Sequence, residues 1–140
     1  VNTLPLLLMK GAILRCQEPI SLPSGSEPEP DFAIVRNRED NYLSNHPTPE
    51  DIILVIEIAD SSLSYDRDVK IPLYAEAGIE YYWIFNLQDN QLDTYSYPYQ
   101  KHNKEFDYSH KQIFLANQTV SLPSFPDLSL ELFSIFPQSS

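Results

Sequence analysis

Residues 53–62, ILVIEIADSS, place one carboxylate inside a run of apolar residues. An uninterrupted β-forming run of this kind is typical of a strand that is covered on both faces. Glu57 lies near the end of the run, and an ionised carboxylate is costly to remove from water. We therefore expect Glu57 to have a cationic partner, a metal ion or an opening to water. The apolar members of the run are Ile53, Leu54, Val55, Ile56 and Ile58.

The length and cysteine content of the chain limit its organisation. With 140 residues, of which 42% are apolar, the chain suffices for one domain with a core, so we predict a single domain over 1–140. Cys16 is the one cysteine and excludes an internal disulfide, which favours a reducing compartment, the cytoplasm. The apolar run LPLLLM at 4–9 is too short to span a bilayer, so we predict no membrane partner.

The charge of the chain is strongly negative. Twenty acidic and nine basic side chains give a formal net charge of −11. This charge opposes indiscriminate binding to polyanions and argues against a role in coating DNA or a membrane surface. An enzyme that acts on nucleic acid would need a local exception to it.

The order of elements predicts an α/β or α+β fold with a mixed sheet. Strands with β-branched and aromatic residues lie on both sides of a helical segment, and a tail with Pro and Leu follows them. The predicted strands besides the one with Glu57 are AILRCQEPISL at 12–22, FAIV at 32–35, YYWIF at 81–85, LDTYSY at 92–97 and KQIFLA at 111–116.

A helix is predicted after ILVIEIADSS, because the spacing of the apolar residues changes there from that of a strand to that of a helix. Val69, Leu73 and Ala77 are four residues apart, as on one face of a helix, and Gly78 offers a left-handed position at its end. Pro72 has no N–H for the carbonyl group four residues earlier. We therefore expect a bend or an irregular turn in this helix.

The sequence contains no Gly-rich phosphate loop, no HExxH motif and no cysteine pair. The remaining candidates for chemistry are Asp31, Glu57 and Lys70, in that order. Two carboxylates at the ends of adjacent strands can share one Mg²⁺ or Mn²⁺ ion, because hard divalent ions prefer oxygen ligands. A nearby lysine can orient water or stabilise charge in the transition state of phosphodiester hydrolysis.

Each candidate also has a structural explanation. Asp31 follows a proline, where an aspartate commonly bonds to the backbone of its own turn. Lys70 stands four residues after Asp66 and can form an ion pair on the helix surface. Glu57 can belong to a buried structural ion pair, although perturbed acids cluster at functional sites. Cys16 lies in a predicted strand and belongs to a residue type that is commonly buried, which favours packing in the core.

Two segments carry a resemblance to a known family. EPEPDFAIV at 27–35 and ILVIEIADSSLSYDRDVKIPLYAEAGIEYYWIF at 53–85 together resemble the restriction-endonuclease-like family of the PD-(D/E)xK nuclease superfamily. The resemblance implies a restriction-endonuclease-like core, in which helices flank a mixed sheet and a divalent metal lies at the sheet's edge. It also implies an upstream helical segment, which we expect to be missing from the sequence that begins at Val1.

The resemblance assigns roles to individual residues. By position, Asp31 matches the aspartate of the motif and Glu57 its second acid, and Ile58 would offer a backbone carbonyl to the metal. The lysine of the superfamily usually occupies position 59, which is alanine here. The family instead places this lysine on the following helix, where Lys70 stands, and a long flexible stem makes that placement workable.

The leading hypothesis is a Mg²⁺- or Mn²⁺-dependent deoxyribonuclease that cleaves DNA by metal-activated water. Its catalytic residues would be Asp31, Glu57 and Lys70, and its metal ligands Asp31, Glu57 and Ile58. The alternative is a catalytically inactive nuclease-fold module that binds a protein or a nucleic acid. Cleavage of both strands of a duplex would call for two sites, which is compatible with a homodimer.

Overall fold

The computed structural model of the protein describes residues 10–61 and 63–136. The apolar run at 4–9 and the last residues of the predicted tail, 137–140, lie outside the described residues. Within the described part of the chain, no helix has the length and apolar character needed to cross a membrane.

A six-stranded mixed sheet forms the centre of the fold, with its strands in the order in which they occur in the chain. Neighbouring strands are antiparallel except β3 and β4, which are parallel and joined by the helix. The predicted mixed sheet is therefore confirmed. The strands are β1 (Ala12–Cys16), β2 (Phe32–Arg36), β3 (Ile52–Ala59), β4 (Tyr81–Asn86), β5 (Gln91–Gln100) and β6 (Phe106–Leu115).

The first strand is shorter than predicted. β1 ends at Cys16, and the next residue, Gln17, has φ of 51°, a left-handed conformation that interrupts a strand. Cys16 is exposed at the end of this edge strand, so the prediction that it packs in the core is wrong.

Helix α1 connects β3 to β4 and has an irregular middle. It consists of a short turn, Leu63–Tyr65, a π-helical turn, Asp66–Lys70, and an α-helical part, Ile71–Glu76. The N–H of Ile71 bonds to the carbonyl oxygen of Asp66, five residues earlier, and Pro72 follows at the start of the α-helical part. The irregular turn predicted from Pro72 is confirmed.

The π-helical turn also changes which residues of α1 face the sheet. Val69 is 44% exposed, whereas Ile71 and Tyr74 are buried. The face predicted from Val69 at regular four-residue spacing is therefore wrong at that residue. Gly78 has φ of 79° after the end of the helix, and its N–H bonds to the carbonyl of Ala75, as predicted for a left-handed position.

The opposite face of the sheet is covered by a hairpin, where the sequence predicts only a tail with Pro and Leu. Strands β7 (Thr119–Leu122) and β8 (Phe125–Glu131) form this hairpin, and a 3₁₀ turn, Leu132–Ser134, follows it. Pro126 lies in β8, where an outer strand tolerates a residue without an N–H. Among the described residues, one helix and this hairpin flank the sheet, where the resemblance implies flanking helices.

Alternation along β3 decides where its carboxylate points. Val55 and Ala59 belong to the core beneath α1, and Leu54 and Ile56 belong to the core beneath the β7–β8 hairpin. Because side chains of a strand alternate between faces, Glu57 faces α1 together with Val55 and Ala59.

Candidate active site

Glu57 is buried and its carboxylate has protein partners on both oxygens. Oε2 accepts hydrogen bonds from Lys70 Nζ at 2.9 Å and from the Tyr74 hydroxyl at 3.2 Å. Oε1 accepts the backbone N–H of Asp31 at 3.0 Å. Since only 5% of Glu57 is exposed, these contacts supply the hydrogen bonds and the opposite charge that a buried carboxylate needs.

Asp31 and Glu57 are joined by reciprocal hydrogen bonds between the loop before β2 and the end of β3. The backbone N–H of Asp31 donates to Glu57, and the N–H of Ile58, the residue after Glu57, donates to Asp31 Oδ2 at 2.7 Å. The Asp31 carboxylate thus bonds to β3 and is half-buried. The two acids predicted for the site are held together where the pairing of β2 with β3 ends.

The backbone carbonyl of Ile58 faces the same region. The carbonyl of Ala59 accepts the N–H of Leu87, which follows β4, so the alternating backbone of β3 turns the preceding carbonyl toward β2. The last pair between β2 and β3 is Phe32 with Ile56. Pro30 would be the next partner opposite Ile58, but a proline has no N–H to donate. The Ile58 carbonyl is thus directed toward Asp31, and Pro30, the residue opposite it, cannot donate a backbone hydrogen bond to it.

Lys70 lies at the end of the π-helical turn and points down onto β3. Its side chain is 15% exposed, and its ammonium group forms an ion pair with Glu57. The ammonium group is also 5.6 Å from the centre of the Tyr74 ring, one helical turn further along α1. Lys70 therefore lies in the site with its charge next to the Glu57 carboxylate. The exposed part of the Lys70 side chain faces water.

Two buried tyrosines form the wall of the site behind Glu57. Tyr74 and Tyr82 are fully buried, with ring centres 4.9 Å apart. Burial, followed by the charge of Glu57, raises the pKa of both hydroxyl groups well above the usual value near 10. Tyr74 therefore stays protonated and donates to Glu57. The Tyr82 hydroxyl is buried without a hydrogen-bond partner among the described residues.

The sequence interpretation missed a second buried acid on the same face of the sheet. Asp93 of β5 has no exposed surface and forms an ion pair with Arg67 of the π-helical turn at 2.8 Å. The sequence does contain a signal for this burial. Asp93 lies in a β-forming segment and shares a strand face with the aromatic Tyr95, just as Glu57 lies among apolar residues of β3. Asp66, predicted as a surface partner of Lys70, is buried as well.

By their chemistry, the donors Asp31, Glu57 and Ile58 would suit one hard divalent ion that keeps much of its water. Asp31 and Glu57 offer carboxylate oxygens, and Ile58 offers a carbonyl oxygen turned toward them. Within the part of the chain that the structure describes, no group of three or more His, Cys, Asp and Glu side chains could hold a metal ion. Mg²⁺ commonly binds through one or two carboxylates together with water and substrate phosphate, so a site with few protein ligands suits it.

Comparisons with known proteins bear on the family and the fold of the chain. The model of the Uma2 family, described as "Putative restriction endonuclease", matches residues 6–132. A solved structure of "a putative nuclease belonging to DUF820" from Anabaena variabilis ATCC 29413 is similar, with a TM-score of 0.68 and 15% sequence identity. The alignment covers 97% of this chain and 75% of that chain. Among curated proteins, none matches the chain.

These comparisons bear out the resemblance and the fold. The structural likeness shows a nuclease-like fold, and the family description supports a nuclease. Because the family model matches nearly the whole length, the chain belongs to the Uma2 family of restriction-endonuclease-like proteins.

Proposed function

We propose that this protein is a Mg²⁺- or Mn²⁺-dependent endonuclease that hydrolyses phosphodiester bonds in DNA. Asp31, Glu57 and the carbonyl of Ile58 would hold the ion, and Lys70 would be the catalytic cation. The observation that carries this proposal is the convergence of Asp31 and Lys70 on the buried carboxylate of Glu57, from three separate segments of the chain.

Each residue has a distinct task in this proposal. When bound, the divalent ion would polarise a phosphoryl oxygen and make a coordinated water more acidic. Lys70 would donate a hydrogen bond to the attacking water or to the phosphate as negative charge develops. An ammonium group has further donors besides the one that Glu57 accepts, so the observed ion pair leaves Lys70 able to do this.

The hydrogen bonds around the acids keep the site in place before substrate arrives. The Ile58 N–H fixes one oxygen of Asp31, and the Tyr74 hydroxyl and the Asp31 N–H fix the two oxygens of Glu57. Such fixed orientation lowers the reorganisation needed in the transition state. The apolar core beneath α1 closes the inner side of the site, so substrate and water would enter from the side of Asp31 and Lys70.

The negative charge of the protein gives DNA binding a specific requirement. With a formal net charge of −11, the surface as a whole repels phosphate groups. Local positive charge at the site would then come from Lys70 and the divalent ion. We therefore expect both productive DNA binding and the cleavage step to depend on the ion.

The test is incubation of the intact protein with supercoiled plasmid, single-stranded DNA and RNA, each with Mg²⁺, Mn²⁺ or EDTA. We expect nicked or linear plasmid with either ion and unchanged plasmid in EDTA. Linear product without accumulation of nicked circles would indicate two sites acting together, as in a homodimer. Cleavage of RNA alone would reject DNA as the substrate, and equal cleavage in EDTA would reject the metal dependence.

One observation favours the alternative, a nuclease-fold module that binds a partner without cleavage. The net charge of −11 favours a protein partner over nucleic acid. In the same assay, absence of cleavage of every nucleic acid with every ion would support this alternative.

A further inference from the structure

Two ion pairs connect the π-helical turn to one row of the sheet. Glu57, Ile84 and Asp93 are direct neighbours on β3, β4 and β5. Lys70 forms its ion pair with Glu57 at 2.9 Å, and Arg67 forms its ion pair with Asp93 at 2.8 Å. The turn is thus attached to the sheet on both sides of Ile84, at strands about 10 Å apart, given strand spacings near 4.8 Å.

The ion pair between Arg67 and Asp93 holds Arg67 in one position. Asp93 is completely buried, and its second oxygen accepts a hydrogen bond from the Gln91 side chain at 2.7 Å. Arg67 Nη2 donates to the other oxygen, and the Arg67 side chain is 35% exposed. A buried carboxylate held in this way offers one position for its cation, because moving the cation away would leave the charge unpaired.

The π-helical turn needs this attachment to the sheet because its geometry is easily changed. A π-helical turn contains an extra residue relative to an α-helix, and its bonding from residue i to i+5 is rare. Relaxation by one residue would rotate the segment by about 100°, the angle per residue of an α-helix. A rotation of this kind between Arg67 and Lys70 would separate Lys70 from Glu57.

We propose that Asp93 is a positioning residue, which holds Lys70 against Glu57 by fixing Arg67 and thereby the π-helical turn. The role of Lys70 in cleavage rests on the proposed function, whereas its placement by Asp93 does not. Asp93 does not contact substrate, because none of its surface is exposed.

The test measures the position of Lys70 without relying on cleavage. N-hydroxysuccinimidyl acetate is added to the metal-free protein, and acetylation of Lys70 is followed by peptide mass spectrometry, relative to the exposed Lys104 and Lys111. In the wild type, Lys70 should react more slowly than both references. In Asp93→Asn and in Arg67→Met, its relative rate should rise about tenfold, a factor typical of coupling between neighbouring interactions.

The double variant and a control separate positioning from general loss of stability. Each substitution breaks the same ion pair, the one between Arg67 and Asp93. The Arg67→Met/Asp93→Asn protein should therefore show the same Lys70 reactivity as each single variant. Leu132→Ala removes a fully buried side chain on the opposite face of the sheet and should leave Lys70 protected. An unchanged Lys70 rate in Asp93→Asn and Arg67→Met, or an equal rise in Leu132→Ala, would overturn the proposal.

Cleavage gives a second readout if the wild type is a nuclease. Asp93→Asn should lower kcat about tenfold or more and leave KM for DNA unchanged, since displacement of a catalytic group acts on the chemical step. A rise in KM with kcat unchanged would contradict positioning. If the wild type cleaves nothing, the proposed function fails, but the Lys70 acetylation rates still decide whether Asp93 positions Lys70.

Discussion

Glu57→Gln is expected to abolish metal-dependent DNA cleavage and also to destabilise the protein. The amide has one oxygen in place of two and no charge, so it can keep the bond from the Asp31 N–H but offers Lys70 no anion. Loss of one member of a buried ion pair should lower the free energy of unfolding by about 3 kcal/mol, at the low end of the range for such pairs. The low end applies because Lys70 is partly exposed and its flexible stem can carry the ammonium group to water.

The two effects of Glu57→Gln are separated by metal-dependent stability. Urea unfolding is measured for wild type and variant in EDTA and in Mn²⁺, with Glu76→Gln, an exposed acid on α1, as the charge-matched control. Mn²⁺ should stabilise the wild type and the control, because it binds the folded site, and should not stabilise Glu57→Gln. A Glu57→Gln protein that still cleaves DNA, or that gains as much stability from Mn²⁺ as the wild type, would contradict the proposed role of Glu57.

Lys70→Met is expected to reduce kcat by about 10²- to 10³-fold, the loss typical of one electrostatic donor to a transition state. Methionine keeps most of the aliphatic stem, so the packing against Tyr74 should largely remain. Asp31 and Glu57 keep their carboxylates, and the divalent ion should still bind. We therefore expect Lys70 to contribute more to the chemical step than to binding of the metal.

The comparison for Lys70→Met is Lys111→Met, which removes the same charge from an exposed position on β6. Plasmid cleavage under saturating DNA and Mg²⁺ gives kcat for both variants, and Lys111→Met should match the wild type. An unchanged rate in Lys70→Met would assign Lys70 to the structural ion pair alone. Equal losses in both variants would attribute the effect to overall charge.

The sequence was sufficient to predict the presence of the strands of the central sheet, their mixed pairing and the irregular helix, because these depend on local patterns. The apolar run around Glu57 fits a strand covered on both faces, and Pro72 cannot complete a regular helix. The burial of Glu57 follows from the same local pattern. Its partners come from segments far apart in the chain, and Asp31 and Lys70 were grouped with it because the chain offers no other catalytic motif and because of the family resemblance.

Other features depend on contacts that local patterns do not report. The position of Val69 on the helix depends on an extra residue in the turn, which changes the phase of the buried face. The ion pair between Arg67 and Asp93 depends on the register of β5 against β4, which sets Asp93 beside Ile84. The β7–β8 hairpin was missed because Pro126 interrupts the alternation typical of a strand.

Direct measurement of Mn²⁺ binding by electron paramagnetic resonance tests most directly whether Asp31 and Glu57 together hold a divalent ion, as proposed. Asp31→Asn is the decisive variant, because its amide oxygen can still accept the Ile58 N–H while the charge is lost. Asp68→Asn, at an exposed position of the π-helical turn, is the charge-matched control.

We predict about one bound Mn²⁺ per chain in the wild type and in Asp68→Asn, and an affinity at least about 10²-fold weaker in Asp31→Asn, beyond the loss typical of residues that only support a ligand. The same Mn²⁺ affinity in Asp31→Asn as in the wild type, or no Mn²⁺ binding by the wild type, would contradict the claim.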